Sequence, residues 1–458
     1  MPTREHFSSR LGFMLIAAGC AIGLGNVWRF PFIAGQYGGA LFVLIYLFFL
    51  IACGVPLLTM ELAVGRASRR SLAESFEVLE QPGSRLHVNK YWMILGNYVL
   101  MSFYSVVTGW MLYYSIKGFT GEFGVNTPAD EAGAEFMHML GSPADMLINM
   151  IAVVALGFCV CAMGLRKGVE RITKPMMILL FLLLIFLSLH SVTLSGFSQG
   201  IEYYLAPNFE IFKTKPLTEI LSAAMAQAFF TLSIGIGAIQ IFATYAGNSH
   251  TLLHESLTIA ALDTVVALLS GFIIFPACFS YGVQPDQGPS LIFVTLVSIF
   301  SHMEHGWMWG GFFFMFMAFA SLSTLIAVFE NIIAICMEIF KTSRRRAVMV
   351  NFFVIIIISM PCLLGFNYLS DVHPLGGEST FLDLEDFIIS DNILPLGALF
   401  YVLFVTLKRG WGFDNYLKEA NRGAGIKIPY WCKNYFRFVL PVVIVVLVAN
   451  CYVAVFGG

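Results

Sequence analysis

The chain has 458 residues and only 12% are charged, whereas soluble domains average about a quarter. Hydrophobic residues make up 58%, Phe alone contributes 44, and the mean hydropathy is +0.80. This excludes a water-soluble globular protein, a disordered chain and a nucleic-acid binder. It leaves an all-α polytopic membrane protein with the lipid bilayer as its partner, each span needing roughly 20 apolar residues.

The first ten residues are polar, with Arg4, Glu5, His6 and Arg10. The apolar run after them is too long for a signal h-region and has no small-residue cleavage site, so no cleavable signal peptide is expected. Eleven spans are predicted, at 11–36, 40–65, 91–116, 146–163, 173–192, 217–246, 257–282, 307–340, 347–367, 391–407 and 436–456. Pro175 follows Gly168 closely, so the cytoplasmic start of the fifth span should unwind easily. The nine cysteines show no disulfide framework and no C-x-x-C spacing, and read as small apolar packers.

Orientation follows from Lys and Arg in the loops. With the N-terminus in the cytoplasm, 22 of the 26 basic residues fall on the cytoplasmic side, in 1–10, 66–90, 164–175, 341–346 and 408–437. The outer loops are acidic instead, with Glu122, Asp130, Glu131, Glu135, Asp371 and Glu378. Eleven spans then put the C-terminus outside the cell membrane.

Gly23-Leu24-Gly25 in the first span is echoed by Gly235-Ile236-Gly237 in the sixth, five spans later. Five is odd, so corresponding spans of the two halves run in opposite directions. That is the pattern of inverted repeats with two helices broken near the bilayer midplane. The expected layout is a cytoplasmic segment at 1–10, five-span repeats at 11–192 and 193–407, and a cytoplasmic loop with one extra helix at 408–458.

Ionisable groups at membrane depth are costly and each is a functional candidate. They are Arg29, Glu61, Asp263, Glu330 and the group Asp383, Glu385 and Asp386. Asn26, Thr231 and Asp263 supply oxygens from three spans, beside backbone carbonyls that unwinding would expose, which suits a hard cation such as Na⁺. Ser323 and Thr324 form a second hydroxyl pair. The competing explanation is that such hydroxyls bond back to their own helix.

At these residues the sequence resembles the neurotransmitter:sodium symporter family, in its bacterial amino-acid transporter branch. The string Ala21-Ile-Gly-Leu-Gly-Asn-Val-Trp-Arg-Phe-Pro31 carries most of the resemblance. Gly38-Gly39-Ala40 with Phe42 and Tyr46, Pro56, Glu61, Lys167-Gly-Val-Glu-Arg171, Phe229-Phe-Thr-Leu-Ser233 and Leu382-Asp383 with Asp386 add to it. The resemblance implies Na⁺-coupled uptake of a hydrophobic L-amino acid. Its carboxylate would meet the N–H groups of Leu24 and Gly25 and the hydroxyl of Tyr104. Its amine would meet carbonyls near Ala21, Phe230 and Thr231, and Ser233. Its side chain would lie among Leu100, Ile236, Ser321, Thr324 and Val328 under Phe230. A first Na⁺ would take Ala21, Asn26, Thr231, Asp263 and the substrate carboxylate. A second would take the carbonyls of Gly19, Ile22 and Ala320 with Ser323 and Thr324. Arg29 with Asp386 would form an outer gate, Arg4 with Glu338 an inner one, and Glu61 would accept hydrogen bonds from freed backbone amides.

The sequence also departs from that pattern. Family members more often have twelve helices, and Phe7 stands where a Trp is usual. Gly23 stands where monoamine transporters carry Asp, which favours a substrate with its own carboxylate. Chloride-dependent members build an anion site from positions matching Tyr46, Gln227, Thr231 and a Ser. Here the Ser is Ala267 and a usual Asn is Asp263, so chloride independence is expected. The other readings are a proton-coupled carrier titrating Asp263 or Glu330, a non-transporting sensor and an intramembrane enzyme. No His-Glu-x-x-His or Gly-x-Ser-x-Gly motif is present, so no enzyme is expected.

Overall fold

The computed structural model describes residues 7, 9–123, 127–282 and 291–456. Among these residues it is helical, with no named strand and two isolated bridges, Gly39 to Pro207 and His250 to Ala424. Helices α1 (Arg10–Ala21) and α2 (Gly25–Gln36) form one span bent by 58°. The unbroken spans are α3 (Ala40–Ser68), α4 (Leu86–Thr120), α5 (Pro143–Ala162) and α6 (Leu165–Ser191). After α7 (Leu217–Thr231) come α8 (Leu252–Ser280), α9 (Gly306–Phe340), α10 (Arg344–Leu364), α11 (Phe381–Thr406) and α12 (Cys432–Val453). Nine helices among the described residues are long and apolar enough to cross a bilayer, and the bent pair makes ten.

The expected sixth span is not a continuous helix. The 15 residues of α7 give way to turns over 232–239 and then to the single helical turn Gln240–Ala243. Three residues there have left-handed backbone: Ser233 at φ 49°, Gly235 at 104° and Gly237 at 70°. The tenth span was drawn from 391 with Asp383, Glu385 and Asp386 at the start of its helix; α11 begins at Phe381, where a reciprocal Thr380–Asp383 cap holds those acidic residues in its first turns, so the bound moves and the acidic start stands. The stretch around Gly168, expected to unwind easily, is wound in this conformation: a wide π-helical turn at Leu165–Glu170 leads directly into Arg171–Ser191.

Four of the wide turns share a cause. They occupy Gly25–Arg29, Leu50–Gly54, Phe387–Ile393 and Tyr435–Val439, and Pro31, Pro56, Pro395 and Pro441 each follow two residues later. A proline inside a helix donates no N–H and its ring collides with the carbonyl four residues back. Those carbonyls belong to Val27, Ala52, Asp391 and Arg437, all inside the wide turns. The extra residue takes up the collision without breaking the helix.

The centre is α9 packed along α4, the two most buried long spans. Large apolar side chains such as Leu182, Leu189, Ile357, Val442 and Val445 stay exposed on α6, α10 and α12, as a lipid-facing surface requires. All nine cysteines are free.

The sixth-span break is held against α11 at backbone distance. A Cβ on Gly235 would lie 2.2 Å from the Leu394 carbonyl oxygen and 2.9 Å from Ala398 N, in a conformation L-residues avoid. Gly235→Ala should therefore cost about 1–3 kcal/mol or more. Gly247→Ala, whose Cβ would meet nothing within 4 Å, should leave stability nearly unchanged. Thermal melting of the two variants in detergent checks this, and equal melting temperatures would contradict the close-approach argument.

Candidate functional site

The two breaks face each other, and the buried polar residues converge between them. Asn26, Thr231 and Asp263 are each at most 1% exposed. The Asn26 amide donates to Asp263 Oδ1 at 2.7 Å and to Thr231 Oγ1 at 3.1 Å, and the Thr231 hydroxyl donates to Asp263 Oδ2 at 2.8 Å. Asn26 Oδ1 in turn accepts from Gly23 N at 3.0 Å, so one side chain stabilises the break and faces the carboxylate. Gln227 Nε2 donates to the Gly25 carbonyl at 3.0 Å. On the other break, Glu61 Oε2 accepts from Gly235 N at 3.0 Å, and Asn97 Nδ2 donates to the Ile236 carbonyl at 2.8 Å.

Five further oxygens gather between α1 and α9. The Ser323 hydroxyl lies 2.9 Å from the Gly19 carbonyl, 3.4 Å from that of Ile22 and 2.8 Å from that of Ala320. The Thr324 hydroxyl lies 3.2 Å from Gly19 O and 3.1 Å from Ile22 O. A hydroxyl that merely bonded back to its own helix would not reach across to another. These two do, so their lone pairs and three carbonyls can face one small cation.

A cavity of about 20 Å³ lies beside these clusters, lined by residues that include Ala21, Gly23, Gly25, Leu100 and Tyr104. Phe230, Ser233, Thr324 and Leu394 complete its wall. The Leu24 N–H donates to Tyr104 Oη at 3.2 Å at its polar end. A Cβ on Gly23 would sit 2.3 Å from Tyr104 Oη and 2.8 Å from Thr324 Oγ1, so any side chain there fills the polar end. Of the sequence-predicted pocket residues, Thr231, Ile236, Ser321 and Val328 are buried but do not line the cavity, and Leu24 lines a larger outer one.

The outer cavity is about 660 Å³ and carries Glu219, Asp383, Asp386 and Asp391 with Arg29. Tyr104 and Phe230 line both cavities and so form the partition between them. The predicted Arg29–Asp386 ion pair is absent. Arg29 instead lies 4.4 Å over the Phe230 ring and donates to Ser390 Oγ at 3.3 Å, while the Ser390 hydroxyl donates to Asp386 Oδ1 at 2.6 Å. The wide turn of α11 carries Ser390 into the gap, so a hydroxyl bridges the two charges. Ser390 opens the polar triplet Ser390-Asp391-Asn392, and nothing in that triplet singled out the hydroxyl as the bridge.

On the cytoplasmic side Arg4 lies outside the described residues. Glu338 accepts from Ser71 N at 3.0 Å and from the Ser71 hydroxyl at 2.6 Å, tying the end of α9 to the turn after α3. Phe7 packs its ring against Phe13, Phe242 and Tyr245. Glu330 forms an ion pair with Arg344 of α10.

The fold and these clusters define a polytopic helical membrane protein organised around two facing helix breaks. The family model described as the sodium:neurotransmitter symporter family matches residues 4–135 and 131–456. An uncharacterized sodium-dependent transporter of Bacillus subtilis, YhdH, is 34% identical over 447 residues, covering 97% of each chain. An uncharacterized sodium-dependent transporter of Haemophilus influenzae is 31% identical over 456 residues, again covering 97% of each. The crystal structure of MhsT in complex with L-phenylalanine matches with a TM-score of 0.87 and 34% identity, over 98% of this chain and 100% of that one. The chain belongs to the sodium:neurotransmitter symporter family, and is a sodium-dependent multi-pass membrane transporter rather than an enzyme.

Replacing both Ser323 and Thr324 by Ala removes two of the five oxygens between α1 and α9. The Na⁺ concentration for half-maximal uptake should rise about tenfold or more, equivalent to about 1.4 kcal/mol of lost coordination. An unchanged Na⁺ response would place the ion elsewhere.

Proposed function

We propose that the protein couples Na⁺ entry to the uptake of hydrophobic L-amino acids by alternating access, without chloride. The observation that carries this reading is the Asp263 carboxylate, bonded to Asn26 and Thr231 beside the first helix break and next to the central cavity. The substrate carboxylate sits at the N–H groups of Leu24 and Gly25, where a helix N-terminus favours an anion, with the Tyr104 hydroxyl closing over it. A first Na⁺ takes the Ala21 carbonyl, Asn26, Thr231, Asp263 and that same carboxylate, so ion and substrate each stabilise the other. A second Na⁺ takes the five oxygens of Gly19, Ile22, Ala320, Ser323 and Thr324, and binds α1 to α9. Leu100 and Phe230 give the apolar end of the cavity its preference for hydrophobic side chains. The MhsT structure, solved with L-phenylalanine, supports this substrate class.

The repeats at 11–192 and 193–407 move against each other around this centre, with the N-terminus in the cytoplasm and the C-terminus outside. Arg29, Ser390 and Asp386 close the outer side above Phe230. Glu338 holds the inner side, with Arg4 as its proposed partner. Glu61 anchors the sixth-span break while the walls move. Glu330 is held by Arg344, which argues against a proton-coupled carrier that titrates Glu330.

Chloride independence follows from charge. The substrate zwitterion is neutral overall, so a Na⁺ in a dry site needs an anion nearby. A fixed carboxylate about 4 Å away supplies about 4 kcal/mol at an effective dielectric of 20. Replacing Na⁺ by choline should abolish amino-acid uptake, whereas replacing chloride by gluconate should leave it unchanged. Asp263→Asn combined with Ala267→Ser should gain chloride stimulation. Wild-type uptake that needs chloride would refute the charge argument. At the outer gate, Ser390→Ala removes the bridging hydroxyl and should lower the uptake rate severalfold, at a stability cost of no more than about 1.5–3 kcal/mol, the range for hydrogen bonds to charged groups. Full transport activity in that variant would remove Ser390 from the gate.

A further inference from the structure

Helix α11 contributes to the central cavity at one residue, Leu394, which is 2% exposed and lines it together with Leu100 and Phe230. These three are the large aliphatic or phenyl side chains among its described lining residues. The polar end of the cavity belongs to the first-span break with Tyr104 and Thr324. A zwitterion anchored there turns its side chain toward Leu100, Phe230 and Leu394.

The position of Leu394 is tightly determined. A Cβ on Gly397 would lie 2.0 Å from the Gly235 carbonyl oxygen, and one on Gly235 2.2 Å from Leu394 O, so α11 meets the sixth-span break with nothing between the backbones. One turn further on, the Tyr401 hydroxyl donates to Gln240, just beyond the break. Residues 394, 397, 398 and 401 follow helical spacing and form one face of α11 turned to the break. On the neighbouring side, a Cβ on Gly96 of α4 would meet Ile393 at 2.5 Å. Ile393 against α4 and the Gly235–Gly397 approach thereby fix the backbone of α11 on two sides at the point where Leu394 lines the cavity.

We propose that Leu394 is a specificity-determining residue that limits the size of the substrate side chain. The proposal rests on the central cavity being the amino-acid site. At about 20 Å³ the cavity has room for about one water, so an amino acid enters only as the walls part, and the volume of each wall residue then counts against the room that opening gives. Pockets discriminate about 10–200-fold for one methylene, and Leu394→Ala removes three carbons from the wall. That change favours a bulky ring over a branched aliphatic chain, and Leu394→Phe has the opposite effect.

The test uses the purified full-length chain in detergent with Na⁺, and measures binding of L-leucine, L-phenylalanine and L-tryptophan by thermal shift. Leu394→Ala should raise the tryptophan-to-leucine affinity ratio at least tenfold, and Leu394→Phe should lower it. If either variant is not recovered folded, Leu394→Val reads the same increase at smaller amplitude. A ratio within twofold of wild type in the folded variants, even with weaker binding overall, would overturn the role of Leu394. Wild-type protein that no amino acid stabilises in Na⁺ would instead refute the proposed substrate class, so the two failures are distinguishable.

Discussion

Interrupting two helices inside an apolar interior frees backbone N–H and C=O groups that water cannot reach, and every unpaired one costs several kcal/mol. The rest of the structure depends on how those groups are satisfied. Asn26 takes the Gly23 N–H, Gln227 takes the Gly25 carbonyl, Glu61 takes the Gly235 N–H and Asn97 takes the Ile236 carbonyl. Each is a buried polar side chain that would be unfavourable alone. Each is tolerable because the break gives it a partner, and the break is tolerable because the side chain is there.

This mutual dependence ties the proposed ion ligands to the architecture. Asn26 uses its oxygen for the break and its amide for Asp263 and Thr231. Thr324 reaches the carbonyls of α1 just before the first break and also lines the central cavity. A cation placed among the Ser323 and Thr324 oxygens would bear on the position of α1, and one beside Asp263 on the shape of the polar end of the cavity. Ion occupancy can therefore act on substrate affinity through the helix ends themselves, with no remote relay.

The sequence made the breaks legible because glycine pairs in matching spans are unusual enough to stand out. It made Asn26, Thr231, Asp263, Ser323 and Thr324 legible because polar groups in apolar runs need a reason. What it hid has physical causes too. Hydropathy drew the tenth span at 391–407, and the acidic residues Asp383, Glu385 and Asp386 read at its start lie in the capped first turns of α11, which begins at Phe381. The Arg29–Asp386 pair was expected as a direct contact, but the length of that gap is set by a wide turn, which delivers Ser390 instead. Leu394 was invisible because one more leucine in an apolar helix carries no signal; only the contact between Gly235 and Gly397 reveals where it goes. Pro31, Pro56, Pro395 and Pro441 mark four of the wide turns, but Pro276 and Pro361 sit inside helices without one, so the prolines alone do not place them.

The wide turn in α11 also settles which residues share a side of that helix. One inserted residue rotates everything after it by about 100°. Asp386 and Leu394 are eight positions apart, which in an uninterrupted α-helix would set them about 80° apart around the axis. With one residue absorbed at Phe387–Ile393 they stand within about 20° of each other. A single helical stripe thus runs from the acidic outer cavity, past the Ser390 bridge, to the floor of the inner one. Moving Pro395 by one position, or deleting one residue upstream, would leave the fold topology unchanged yet aim that stripe at a neighbouring helix, detaching the entrance from the chamber it serves.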